Sequence, residues 1–90
     1  MKREEVLEKA KKCVCGDRDE DYGKPENNFG MIAKLWSVYL STDITSEDVA
    51  NMMALLKIAR IATGRYKADN YVDLAGYAAC AAEVAEYDYI

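Results

Sequence analysis

The chain lacks an excess of positive charge. Its 90 residues carry 12 Lys and Arg against 16 Asp and Glu, a net charge of -4. A dedicated binder of duplex nucleic acid or of an anionic membrane needs a basic patch, so both classes are set aside. No apolar run approaches the ~20 residues that cross a bilayer. No apolar stretch follows the charged Lys2–Glu8 segment, so a secretory leader is not expected either. Histidine is absent, and the three cysteines, Cys13, Cys15 and Cys80, are odd in number. With no histidine and no second cysteine pair, Cys13-Val14-Cys15 does not make a metal site. Free thiols suit a reducing compartment, and the expected location is the cytoplasm. Strand alternation, internal repeats and low-complexity segments are also missing.

What is present is helical spacing. The reading is an all-α fold, a four-helix bundle-like single domain over residues 1–90, with helices near 2–15, 25–40, 46–63 and 69–87. The first is amphipathic, with acids before lysines as the macrodipole favours, and Gly16 is its expected left-handed cap. Pro25 suits the first turn of the second helix. Phe29, Ile32, Ala33, Trp36 and Tyr39 then recur at a helical period, and Trp36 and Tyr39 read as core or interface. Thr45 and Asp48 form a capping-box pattern for the third, with Ile44 placed to staple on Val49. The third helix is apolar nearly all round, which predicts a central, buried element. Arg60, in line with Val49, Met53 and Leu56, is expected partly buried and paired. The fourth is rich in alanine and open to close helix approach. A small domain buries only about 60–65% of its unfolded surface, so a homodimer is expected.

Two cations, Lys57 and Arg60, close the third helix, and two acids, Asp69 and Asp73, open the fourth. Acids four residues apart on a helix repel unless a cation lies over them. One reading caps the helix with Asp69 and buries Asp73 in an ion pair with Arg60 or Lys57. The sharper reading is a Mg²⁺ site, because Mg²⁺ takes carboxylate and phosphate oxygens. Asp48-x-x-Asn51 and Asn70-x-x-Asp73 would place two polar pairs on facing helices. Tyr22 to Phe29 is a loop entering a helix, where free N–H groups and Lys24 can meet an anion, or where Tyr22 simply packs into the core.

The strings Tyr22-Gly-x-Pro25-x-x-Asn28-Phe29, Asp48-Val-Ala-x-Met-Met-x-Leu-Leu-Lys57-Ile-Ala-Arg60 and Lys67-x-Asp69-Asn70-x-x-Asp73-Leu-Ala-Gly76-Tyr77 resemble a family of small phage and prophage proteins. The likeness runs from about Tyr22 to Val84. More distantly, the chain is similar to the all-α nucleoside triphosphate pyrophosphatases of the MazG-like and dimeric dUTPase-like kind. Those enzymes hold Mg²⁺ on a Glu-x-x-Glu pair and a Glu-x-x-Asp pair and split the α–β phosphate bond. The resemblance carries those four places to Asp48, Asn51, Asn70 and Asp73, with Asp48 and Asp73 the remaining metal candidates. Two acids have become asparagine, so the resemblance implies nucleotide binding with little or no catalysis. Lys57, Arg60, Lys67, Asp69, Asn70, Tyr77, Tyr22 and Lys24 are the candidate ligand residues. The alternatives are a Mg²⁺-dependent nucleotide pyrophosphohydrolase and a phage module that binds a host defence protein.

Overall fold

The computed structural model describes residues 1–16 and 25–88, with side chains for 1–16 and 28–86. Four helices follow one another: α1 (Arg3–Cys15), α2 (Pro25–Leu40), α3 (Ser46–Thr63) and α4 (Ala68–Asp88). No strand occurs among the described residues. The fold is all-α, as the periodicity predicts.

Local chemistry explains where each helix starts and stops. The Thr45 hydroxyl accepts from the Asp48 N–H, and the Asp48 carboxylate accepts from the Thr45 N–H, both at 3.0 Å. This reciprocal capping box starts α3, and Ile44 packs onto the core cluster that holds Val49. At the end of α2 the left-handed residue is Ser41, with φ 52°. The Thr42 N–H reaches back to the Ser37 carbonyl and that of Ser41 to Val38, the Schellman arrangement. The Ser37 hydroxyl also accepts from the Ile44 N–H at 2.9 Å, tying the α2–α3 turn together. Gly16 departs from expectation: its φ is -108°, not left-handed. A Cβ there would stand 2.6 Å from the Lys12 carbonyl oxygen, so close approach to that carbonyl is what requires glycine.

The core gathers Phe29 and Ala33 of α2, Val49 and Ala50 of α3, and Cys80, Ala81 and Val84 of α4. The expectation of a central α3 is corrected. The element that touches each of the others is α4. Its alanines and glycine keep it slim, so helices approach it from several sides; a Cβ on Gly76 would stand 3.0 Å from Val14 of α1. Meanwhile α3 buries only Val49 and Ala50 fully, and Met52, Leu55, Leu56 and Ile58 remain exposed. Helix α2 likewise exposes Met31, Leu35, Val38 and Tyr39. Trp36 packs against the core, whereas Tyr39 is on the surface. No helix is long and apolar enough to cross a membrane among the described residues.

Candidate functional site

The end of α3 and the start of α4 are joined by a short link, Gly64 to Lys67, without helical structure. An open pocket of about 400 Å³ lies against it, lined by Arg60, Thr63, Gly64, Arg65, Lys67 and Asn70. Three cations therefore surround one concavity. The first N–H groups of α4 have no partner inside the helix, and the helix dipole adds partial positive charge there. Asn70 forms part of the pocket wall and is only 9% exposed. Its backbone N–H donates to the Lys67 carbonyl at 3.1 Å. Its side-chain amide has no hydrogen-bond partner among the described residues. A buried amide left without a partner costs about 1–3 kcal/mol, so a water or another polar group is expected beside it.

The candidate residues separate into distinct places. Arg60, Lys67 and Asn70 come together here. Arg60 is exposed and makes no ion pair among the described residues, which corrects the expectation that it is partly buried and paired. It sits in the last turn of α3, beyond the fully buried Val49 and Ala50 of the first turn. Lys57 instead pairs with Asp73, Nζ to Oδ2 at 2.9 Å. The burial is the reverse of that expected: the Lys57 side chain is 13% exposed and that of Asp73 39%. Asp69 does not cap α4, because the helix begins at Ala68 and Asp69 falls at its second position. Tyr77 packs on the core and lines a separate cleft of about 80 Å³ with Cys13, Asp73 and Cys80. Tyr22 and Lys24 lie outside the described residues, as do Tyr89 and Ile90. All three cysteines are free thiols.

Asp48 and Asp73 do not meet within one chain. The Asp48 carboxylate is occupied at the Thr45 N–H, in the first turn of α3. Asp73 sits at the level of Lys57, nine residues further on, about 13 Å of helix rise. No three acidic or thiol groups cluster among the described residues. The residues present therefore do not fit a Mg²⁺ site shared by Asp48, Asn51, Asn70 and Asp73. Thr63, Gly64 and Arg65 line the same pocket as Arg60, Lys67 and Asn70 and were not among the candidates. The signal was available in Arg60, Arg65 and Lys67, three cations within eight residues of a helix end.

A family model, Domain of unknown function (DUF6378), matches residues 5–85. The chain belongs to this family. It is 45% identical over 83 residues to the Gene 55 protein of Mycobacterium phage D29, covering 92% of the chain and 55% of that relative. It is 46% identical over 74 residues to the Gene 55 protein of Mycobacterium phage L5, covering 81% of the chain and 47% of that relative. The chain spans about half the length of the curated relatives it matches. No solved structure matches it. As a DUF6378 member it is a small, all-α relative of phage-encoded proteins, and the matched region includes all four helices in whole or in part.

The Lys57–Asp73 pair gives a first test. Removing one partner of an exposed pair costs under about 1 kcal/mol, and of a buried pair about 3–5 kcal/mol. With one half buried and the other part-exposed, Asp73→Ala is expected to lower stability by about 1–2 kcal/mol. Thermal unfolding of that variant beside Lys57→Met measures it. Asp73→Ala melting with the wild type would mean that the pair contributes nothing.

Proposed function

We propose that the chain binds a nucleotide or a related phosphorylated small molecule at the α3–α4 turn, with little or no catalysis. The buried Asn70 amide, without a hydrogen-bond partner among the described residues, in a pocket ringed by Arg60, Arg65 and Lys67 carries this reading. Phosphate oxygens accept from guanidinium and ammonium groups in charge-assisted bonds, and a helix N-terminus adds free N–H donors. The motif likeness to all-α nucleoside triphosphate pyrophosphatases points to the same ligand class. Hydrolysis is placed second because Asp48 and Asp73 stand apart, and Mg²⁺ then enters only with the ligand's phosphates.

Calorimetry with ATP and the deoxynucleoside triphosphates, with and without Mg²⁺, tests the reading. Wild type is expected to bind at least one of them without releasing pyrophosphate. Arg60→Ala and Lys67→Ala are each expected to weaken binding by about tenfold or more, since a bond to a charged group contributes about 1.5–3 kcal/mol. Absence of binding to every triphosphate at millimolar concentration, or equal binding by wild type and both variants, would overturn it. Steady pyrophosphate release would favour the pyrophosphohydrolase instead.

The partner we propose for the outer face of α3 is a second copy of the chain. Asp48, Met52, Leu55, Ala59 and Ala62 follow one another at alternating four- and three-residue steps along that face, the spacing of a helix–helix seam. Met52 and Leu55 on that face are 38% and 61% exposed, an apolar stripe that a second copy would cover. A host protein is the competing occupant of this face. Assembly only when a host extract is added would favour it.

A further inference from the structure

The side chains of the link between α3 and α4 are divided between two pockets. In extended backbone, successive side chains point to opposite sides. Arg65 and Lys67 line the pocket with Asn70. Tyr66, between them, lines a second, mainly apolar groove of about 440 Å³ with Leu7, Ala68 and Tyr71, and Arg3 at its edge. Tyr66 is 72% exposed, and its ring centroid lies 6.2 Å from that of Tyr71 with the planes tilted by 36°. Two large aromatic rings thus stand in the open beside three cations. Aromatic side chains next to a positively charged groove are the usual platform for a nucleobase, and stacking tolerates any base because every base has a π-face.

We infer that the Tyr66–Tyr71 groove takes the base of the same ligand whose phosphates are held by Arg60, Arg65, Lys67 and Asn70, so that a nucleotide straddles the Gly64–Lys67 link. This rests on the phosphate-site reading and narrows it: the ligand must carry an aromatic ring as well as phosphate. Base recognition here is by stacking, so purine and pyrimidine nucleotides differ mainly in ring area, and selection for one base is weak.

Calorimetric titrations with a nucleoside triphosphate and with inorganic tripolyphosphate separate the two parts. Wild type is expected to bind the nucleotide about tenfold more tightly than tripolyphosphate. Tyr66→Ala removes that advantage and leaves tripolyphosphate affinity unchanged, while Tyr66→Phe keeps it. Because Tyr66 is exposed, its replacement leaves the fold intact, and far-UV circular dichroism confirms that. If tripolyphosphate binds wild type as tightly as the nucleotide does, or Tyr66→Ala weakens both alike, the base platform is wrong and the phosphate site stands. If neither ligand binds, both are wrong.

Discussion

Phe29→Ala is expected to lower the unfolding free energy by about 3–5 kcal/mol, the usual cost of emptying a buried aromatic site. Phe29 is 2% exposed, among the largest fully buried side chains, and belongs to the same cluster as Val49 and Val84. A chain of this length has roughly 5–13 kcal/mol in total, so the variant loses a large share of it. Neighbouring alanines cannot move in to fill the space, because Ala33, Ala50 and Ala81 have no further atoms to reorient. Urea unfolding beside Lys34→Ala, an exposed position on the same helix, measures the contrast. Lys34→Ala should stay within about 0.5 kcal/mol of wild type. A Phe29→Ala loss below about 1 kcal/mol would show that α2 does not hold the core.

Leu55→Glu is expected to convert a dimer into a monomer. Leu55 is 61% exposed within one chain, midway along α3 on its outer face. In a self-complementary seam around a two-fold axis, a residue near the centre meets its own copy. Two carboxylates forced together in an apolar contact repel and lose their hydration, so one substitution counts twice. Light scattering at micromolar concentration should give twice 10.1 kDa for wild type and 10.1 kDa for the variant. Far-UV circular dichroism should remain helical, because Leu55 is not part of the core cluster. A wild-type mass of 10.1 kDa, or a variant that remains dimeric, would remove the seam.

Helix boundaries were legible because they are set by local chemistry. Pro25 at a first turn, Thr45 with Asp48, and Gly64 at a stop each act over three or four residues, so the four helices fall within a residue or so of their expected limits. The ion pair at Asp73 was legible for the same reason: like charges at 69 and 73 call for a nearby cation, and Lys57 supplies it. The choice of central helix was not legible. Periodicity reports how apolar a face is, not whether another helix of the same chain covers it. An apolar α3 reads as buried, although Met52, Leu55 and Ile58 on it are exposed and no described helix covers them. Axial level was lost as well. Asp48-x-x-Asn51 and Asn70-x-x-Asp73 look like facing pairs, but Lys57 meeting Asp73 sets a level that leaves Asp48 about two and a half turns away. The proposed pocket was half legible: Arg60, Lys67 and Asn70, named as candidates, line one pocket, whereas Arg65, Tyr66 and Tyr71 drew attention only once the link had two sides.

The proposed binding site is tested most directly by nuclear magnetic resonance on ¹⁵N-labelled chain titrated with a nucleoside triphosphate. The side-chain amide of Asn70 gives one assignable pair of signals at the pocket wall, and the backbone amides of Ala68 and Asp69 lie beside it at the helix start. These signals, with the Arg60 and Arg65 guanidinium signals, are expected to shift saturably together, while those of Met31 to Tyr39 on α2 stay in place. Shifts confined to α2 or α3's outer face, or no shift of the Asn70 side chain at millimolar nucleotide, would contradict a ligand site at the α3–α4 turn.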